Sequence, residues 1–122
     1  MNMCSYVSIV TKVLPLRARP WTLSDDHAAE LADLFHLLGD ATRLRIVLAC
    51  LDAPVPVGEI AAKLGLSGSL VSHHLRLLRA ASIVRAERQG KQVFYAAADD
   101  HVRRIVVDMM DHMAEPKSED GQ

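Results

Sequence analysis

Cysteine is scarce in this sequence: Cys4 and Cys50 are the only two. They are not spaced as a C-x-x-C pair, and two thiols make no disulfide framework. Cys50 sits in an apolar helical run and reads as a buried core thiol, while Cys4 reads as a terminal thiol without a partner. No apolar run approaches the length of a membrane-spanning helix. The opening 21 residues lack a charged start followed by a clean apolar core, so they make a poor signal peptide. A cytoplasmic protein is expected. Net charge of one sign is also missing: the formal value is −1, which gives no global sign of a nucleic-acid partner.

The distribution of charge says more than its sum. From Lys63 to Tyr95 the charged residues are Lys63, Arg76, Arg79, Arg85, Arg88 and Lys91 against Glu87 alone, a local +5. From Asp99 onward there are seven acids. A basic middle and an acidic end suggest one surface for a polyanion and another for a cation. A length of 122 residues implies one domain, and a hydrophobic fraction of 50% supports a core, though a small one.

Residues 1–22 read as a loosely ordered arm closed by Pro15, Pro20 and Trp21. The domain proper is expected over 23–116, and 117–122 reads as a disordered polar tail. Ser24 followed by Asp25 and Asp26 starts a long helix, carried by Ala28, Leu31, Leu34, Phe35 and Leu38 and ended by Gly39. Asp40 caps a second helix with Leu44, Val47, Leu48 and Leu51 as its stripe. The stretch 52–56 reads as a connector. A short helix from Val57 to Leu64, a turn at Gly65-Leu66-Ser67 and a helix from about Gly68 to Ala80 make a helix-turn-helix pattern. Ile83 and Val84 begin a strand, Arg88-Gln89-Gly90-Lys91 is a hairpin turn, and Gln92 to Ala97 returns. A last helix starts at Asp99 and fades before Pro116. The order predicts a mainly α (α+β) fold: a winged helix-turn-helix flanked by long helices.

The last helix carries four potential metal ligands, Asp99, His101, His112 and Glu115. Eleven residues separate the two histidines. Eleven steps of about 100° return to within roughly 20°, so both rings share a helix face, yet they stand about 16 Å apart along the axis. Two nitrogens on one ion lie within about 4 Å of each other. One straight helix therefore cannot close the site, whereas two antiparallel copies can, which implies a homodimer with two symmetry-related sites. Solvated polar residues on an exposed helix are the alternative reading of the same spacing. His27 and His36, on the first long helix, read as ordinary surface or interface histidines. Val102, Ile105, Val106, Met109 and Met113 read as dimer core.

At the other end of the domain, the helix from Ser67 presents small polar side chains at its N-terminus. Such an end can enter a major groove, accept phosphate on its free N–H groups and read base edges. Ser67, Ser69, Ser72, His73 and His74 are the candidate contacts, with His74 equally able to point inward. Arg88 and Lys91 on the wing are candidates for phosphate or minor-groove contact.

Four stretches together are identified as those of the ArsR/SmtB family of metal-sensing repressors, over about residues 25–116. They are Leu38-Gly39-Asp40-Ala41-Thr42-Arg43-Leu44-Arg45-Ile46, the recognition helix Val71-Ser72-His73-His74-Leu75-Arg76-Leu77-Leu78, the wing Arg88-Gln89-Gly90-Lys91 with Val93-Phe94-Tyr95, and D-x-H, ten residues, H-x-x-E, filled by Asp99, His101, His112 and Glu115. The last pattern resembles the zinc-sensing branch. The resemblance implies that Ser69, Ser72 and His73 occupy recognition positions, and that Gly68 stands where a longer polar residue is common. It also implies a hydrogen bond from the non-ligating ring nitrogen of His112 to a carbonyl near Ser82. The C-x-C-type motif of thiol-dependent sensors is absent: Val55-Pro56-Val57-Gly58-Glu59 takes its place. No cysteine occurs in the last helix, as a persulfide sensor would need, and no histidine precedes His27 to extend the site for nickel.

Two imidazoles and two carboxylates suit a closed tetrahedral Zn(II) site, with Co(II) able to follow. The expectation is a homodimeric repressor that binds double-stranded operator DNA, releases it on binding Zn(II), and controls metal efflux or sequestration genes. No enzymatic activity, membrane partner or small-molecule substrate is expected. Two rivals remain open: a repressor whose metal site is vestigial or nickel-selective and answers to another signal, and a zinc-buffering protein or zinc enzyme. An enzyme would need an open coordination position and a general base, for which the sequence offers no group.

Overall fold

Capping residues set the helix starts where the sequence places them. In the computed structural model, which describes residues 15 and 24–116, helix α1 runs Asp25–Leu38. Ser24 precedes it and accepts the His27 N–H on its Oγ at 3.1 Å, with Asp25 and Asp26 in the first turn near the positive end of the helix dipole. Helix α2 runs Ala41–Ala49, and Asp40 caps it by accepting the Arg43 N–H on Oδ2 at 3.0 Å. The arm and tail, with Cys4, lie outside the described residues apart from Pro15. The chain forms two compact units, residues 1–35 and 36–122. The second holds everything that follows.

Strand β1 (Val55–Pro56) leads directly into helix α3 (Val57–Leu64). Gly65 ends α3 at φ 69°, a left-handed conformation that glycine adopts without a Cβ penalty. Ser67 then caps helix α4 (Gly68–Ala80), its Oγ accepting the Leu70 N–H at 3.1 Å. Strands β2 (Val84–Gln89) and β3 (Gln92–Ala97) form an antiparallel hairpin in register from Val84↔Ala97 to Gln89↔Gln92. Gly90 and Lys91 make its two-residue turn, with Gly90 at φ 65°. Helix α5 (Asp100–Ala114) closes the fold.

The stretch 52–56, read from sequence as a connector, needs one correction. Val55 and Pro56 pair with Tyr95 and Phe94, giving a three-stranded sheet in the order β1-β3-β2. Pro56 is tolerated because β1 is an edge strand, where a missing N–H costs no ladder bond. The short strand ties the start of α3 to the wing.

The core sits where α2, α3, α4 and the sheet meet. Ile46, Val47 and Cys50 from α2 and its end, Ile60 from α3, and Val71, Leu75 and Leu78 from α4 are fully buried. The α4 residues follow i, i+4, i+7, one helix stripe. Leu70 and Leu77, offset from that stripe, are exposed. The Cys50 thiol lies 3.4 Å from the Ile46 carbonyl oxygen, to which it donates, and burial pushes its pKa up to about 11. At neutral pH this makes it a protonated, fully buried core group.

Helix α4 ends in a Schellman motif built on an unusual residue. The Ile83 N–H donates to the Leu78 carbonyl at 2.9 Å and the Ser82 N–H to that of Arg79 at 3.0 Å, with Ser82 at φ 61° where glycine is the common choice. Ile83 and Leu78, the apolar residues at the two ends of the motif, are both buried. An L-residue in this region costs about 1–2 kcal/mol, while glycine adds disorder to the unfolded chain worth about 0.4–1 kcal/mol. Ser82→Gly is therefore expected to raise the unfolding free energy by about 0.5–1 kcal/mol, read from urea unfolding. A fall would mean that the serine side chain stabilises the turn.

Candidate nucleic-acid interface and metal centre

Burial of Val71, Leu75 and Leu78 turns the opposite face of α4 outward. Ser69 and His73 are exposed on it and Ser72 is half-buried, at i, i+4 and i+3, a single helical face. The Ser67 Oγ is occupied by the helix cap and lies 3.4 Å from the Ser69 Oγ. Gly68 is exposed, and a Cβ added there would meet no atom within 4 Å. For His74 the structure shows an intermediate placement. The residue is half-buried, and its Nδ1 is sealed from solvent without a hydrogen-bond partner among the described residues. Its ring centroid stands 5.6 Å from that of His73.

His74 approaches the N-terminus of α2. The N–H donated by Arg43 holds the Asp40 carboxyl below its ordinary range, and the charges of Arg43 and His74 act in the same direction. In the sequence Asp40 reads only as a helix cap. The structure places it close enough to the recognition helix to feel His74, a tertiary juxtaposition that no local pattern announces.

On the wing, the cations divide into two kinds. Arg85 is engaged: it donates to the Ala97 carbonyl at 2.9 Å and pairs with Glu87 at 2.7 Å. Arg88 and Lys91, at the hairpin tip, are exposed and make no ion pair with any described residue. Their charge is open to a partner.

The four candidate metal ligands occupy the two ends of α5. Asp99 is the N-cap, its Oδ1 accepting the Val102 N–H at 3.0 Å. The same Oδ1 stands 3.7 Å from Nδ1 of His101, and both side chains are largely exposed. His112 and Glu115 are exposed at the other end, where the Glu115 N–H donates to the Asp111 and His112 carbonyls. Among the described residues, no three histidine, cysteine, aspartate or glutamate side chains gather closely enough to hold an ion. The His112 ring makes no hydrogen bond with a described residue, so the link to the carbonyl near Ser82 is not made here.

This architecture has relatives. Residues 40–86 match the family described as "Bacterial regulatory protein, arsR family". The transcriptional repressor SmtB homolog of Synechocystis sp. is 36% identical over 99 residues, covering 81% of this chain and 75% of the relative. The chain belongs to the arsR family. This arsR-family protein is thus a winged helix-turn-helix transcriptional regulator and not an enzyme. Among solved structures, the cadmium metal-sensor CmtR of Mycobacterium tuberculosis is 40% identical, with a TM-score of 0.60, covering 73% of this chain and 92% of that one. A homodimeric winged helix-turn-helix DNA-binding domain from Mycobacterium bovis gives a TM-score of 0.68 at 26% identity, covering 74% of this chain and 86% of that one.

Proposed function

We propose that this arsR-family regulator is a homodimeric, metal-responsive repressor that binds operator DNA and releases it on binding Zn(II), with Co(II) as a competent substitute. The observation that carries the reading is the division of its ligands: Asp99 with His101 begins α5, and His112 with Glu115 ends it. Each pair is half a tetrahedral site, and the other half would come from a second copy.

The donor set fits the ion. Two imidazole nitrogens and two carboxylate oxygens suit zinc, and the carboxylates offset its charge. Cadmium and other soft ions favour thiolates, and the described thiol, Cys50, is sealed and protonated. The relatives include a cadmium sensor; the nitrogen and oxygen donors of this chain are what favours zinc here. The dimer is supported by the apolar face of α5, where Ile105, Met109 and Met113 are exposed at 40%, 56% and 78%, and by a homodimeric neighbour. Control of metal efflux or sequestration genes, and a cytoplasmic place beside the DNA, follow from the same reading. Among the described residues no helix is long and apolar enough to cross a membrane.

DNA contact is assigned to Ser69, Ser72 and His73 on α4, to the N-terminal turn after Ser67, and to Arg88 and Lys91 on the wing. His74, half-buried with its Nδ1 sealed, stays a candidate that can equally serve the helix packing. Regulation requires that the ion bind more tightly to a form of the dimer with low DNA affinity. His112 would serve twice, as a ligand through one nitrogen and as a donor towards the turn at Ser82 through the other, the kind of outer hydrogen bond that orients a ligand.

The deciding measurement is the ratio of operator affinities without and with saturating Zn(II), using a duplex enriched from a randomised library by the protein itself. Coupling of about 1–3 kcal/mol makes that ratio roughly 5–150. His112→Gln is expected to retain some metal binding, followed by Co(II) absorption, and to lose more of the ratio than of the affinity. A wild-type ratio near one would leave a vestigial site responding to another signal. A full ratio in His112→Gln would end the relay while sparing the sensor.

A further inference from the structure

The metal-ligating start of α5 is held from outside the helix. Arg103 lies one turn after Asp99, and its N–H donates to the Asp99 carbonyl at 3.3 Å. Its guanidinium reaches away from α5 to Asp52, in the connector between α2 and β1. Nε lies 3.2 Å and Nη2 2.9 Å from the same oxygen, Oδ1. The two residues are 51 positions apart in sequence. Among the described residues, this is the only ion pair that joins α5 to another part of the fold.

The surroundings leave this contact without a substitute. A cleft of about 200 Å³ is lined by Asp52, Arg85, Asp99, Asp100 and Arg103 among others. Arg85 is held by Ala97 and Glu87, Asp100 sits 4.0 Å from Arg104 on its own helix, and Asp99 caps α5. Asp52 stands three residues before Val55, which pairs with Tyr95 on the wing, and β1 runs straight into α3. A displacement of the first turn of α5 would therefore reach α3 and the wing through Arg103 and Asp52.

We propose that the Asp52–Arg103 ion pair positions the Asp99/His101 half-site against the winged-helix core and carries part of the coupling between metal and DNA. Arg103 is a positioning residue here, not a ligand, and the proposal rests on the metal-responsive reading above. The pair is solvent-exposed, with 79% of the Asp52 side chain accessible, so it adds little to stability. Charge alone gives the opposite expectation for affinity: a guanidinium one turn from Asp99 repels a cation, and its removal would tighten metal binding.

The test compares wild type with Arg103→Gln, Arg103→Lys, Asp52→Asn and the double variant Arg103→Gln/Asp52→Asn. Metal affinity is read from Co(II) absorption, and the metal-dependent ratio from titration of the enriched duplex with and without saturating Zn(II). Each neutralising single variant is expected to lose about two- to fivefold of the ratio, the range open to an exposed ion pair. The double variant should lose no more than either single one, and Arg103→Lys should keep part of the effect. DNA affinity without metal and the melting temperature should hold. An unchanged ratio in Asp52→Asn, which alters only an exposed connector, overturns the proposal even if Arg103→Gln fails to fold. So do losses that multiply in the double variant. A wild-type ratio near one overturns the sensor reading first, and this inference with it.

Discussion

Mixing His101→Ala chains with His112→Ala chains is expected to restore tight metal binding that neither homodimer possesses. Helix α5 spans 15 residues, and its two histidines stand about 16 Å apart along the axis, far beyond the roughly 4 Å that two nitrogens on one ion allow. If the start of one α5 meets the end of the other, each homodimer of a single mutant has lost one imidazole from both of its sites. In the mixed dimer the losses fall together on one site. The other receives Asp99 and His101 from the His112→Ala chain and His112 and Glu115 from the His101→Ala chain, and is whole. Loss of an outer-shell partner already costs about 10–100-fold in metal affinity, and loss of a ligand should cost more. Co(II) absorption during subunit exchange reads the result. Tight binding by both homodimers on their own would sink the intersubunit site.

Operator binding is expected to collapse with salt. A dimer that neutralises roughly six to ten phosphates loses about 10³–10⁵ in affinity between 50 and 200 mM salt as condensed counterions are released. The candidate cations, Arg88 and Lys91, stand exposed at the hairpin tip without an internal ion pair among the described residues. Replacing both with glutamine should flatten the slope of log affinity against log salt. Ser72→Ala and His73→Ala should act differently, since they remove proposed base contacts from the outward face of α4. They should weaken the enriched duplex more than a random one, by about 1–3 kcal/mol for each lost base contact, and leave Zn(II) affinity unchanged. A flat salt dependence in the wild type would argue against a phosphate-tracking wing.

Much of the fold is legible in the chain because its punctuation is local. Ser24, Asp40 and Ser67 accept N–H groups three residues on, and Gly65 and Gly90 take positive φ at a helix end and a hairpin turn. Each is a short-range rule that needs no tertiary context. What stayed hidden depends on distant partners. A two-residue strand has no period to detect, so β1 looked like a connector until Tyr95 and Phe94 supplied its ladder. In Leu-rich α4, adjacent apolar positions cannot all face inward, and only packing against α2 and α3 selects Val71, Leu75 and Leu78 over Leu70 and Leu77. Ser82 lacks the glycine or asparagine that signals a left-handed cap.

The candidate metal centre is legible to a different degree. The residue types and their spacing were visible because they share one helix. The tie from Arg103 to Asp52 was not, because its partners are 51 residues apart. The partial burial of His74 was equally invisible, being set by the neighbours of α4 and not by its own sequence.

The two carboxylates of the candidate centre are unequally prepared. One oxygen of Asp99 is anchored by the Val102 N–H, so capping has already frozen the side-chain torsions that a ligand must otherwise surrender, and the second oxygen is presented in a fixed direction. Glu115, longer and exposed at the C-terminal end of α5, has no such side-chain anchor among the described residues and would lose rotamer freedom on capture. If the centre is built as proposed, Asp99 is the ligand already held in place and Glu115 the one that would still have to be ordered. The cost of ordering would then fall on the C-terminal end of α5, the end farthest from the turn where Arg103 pairs with Asp52.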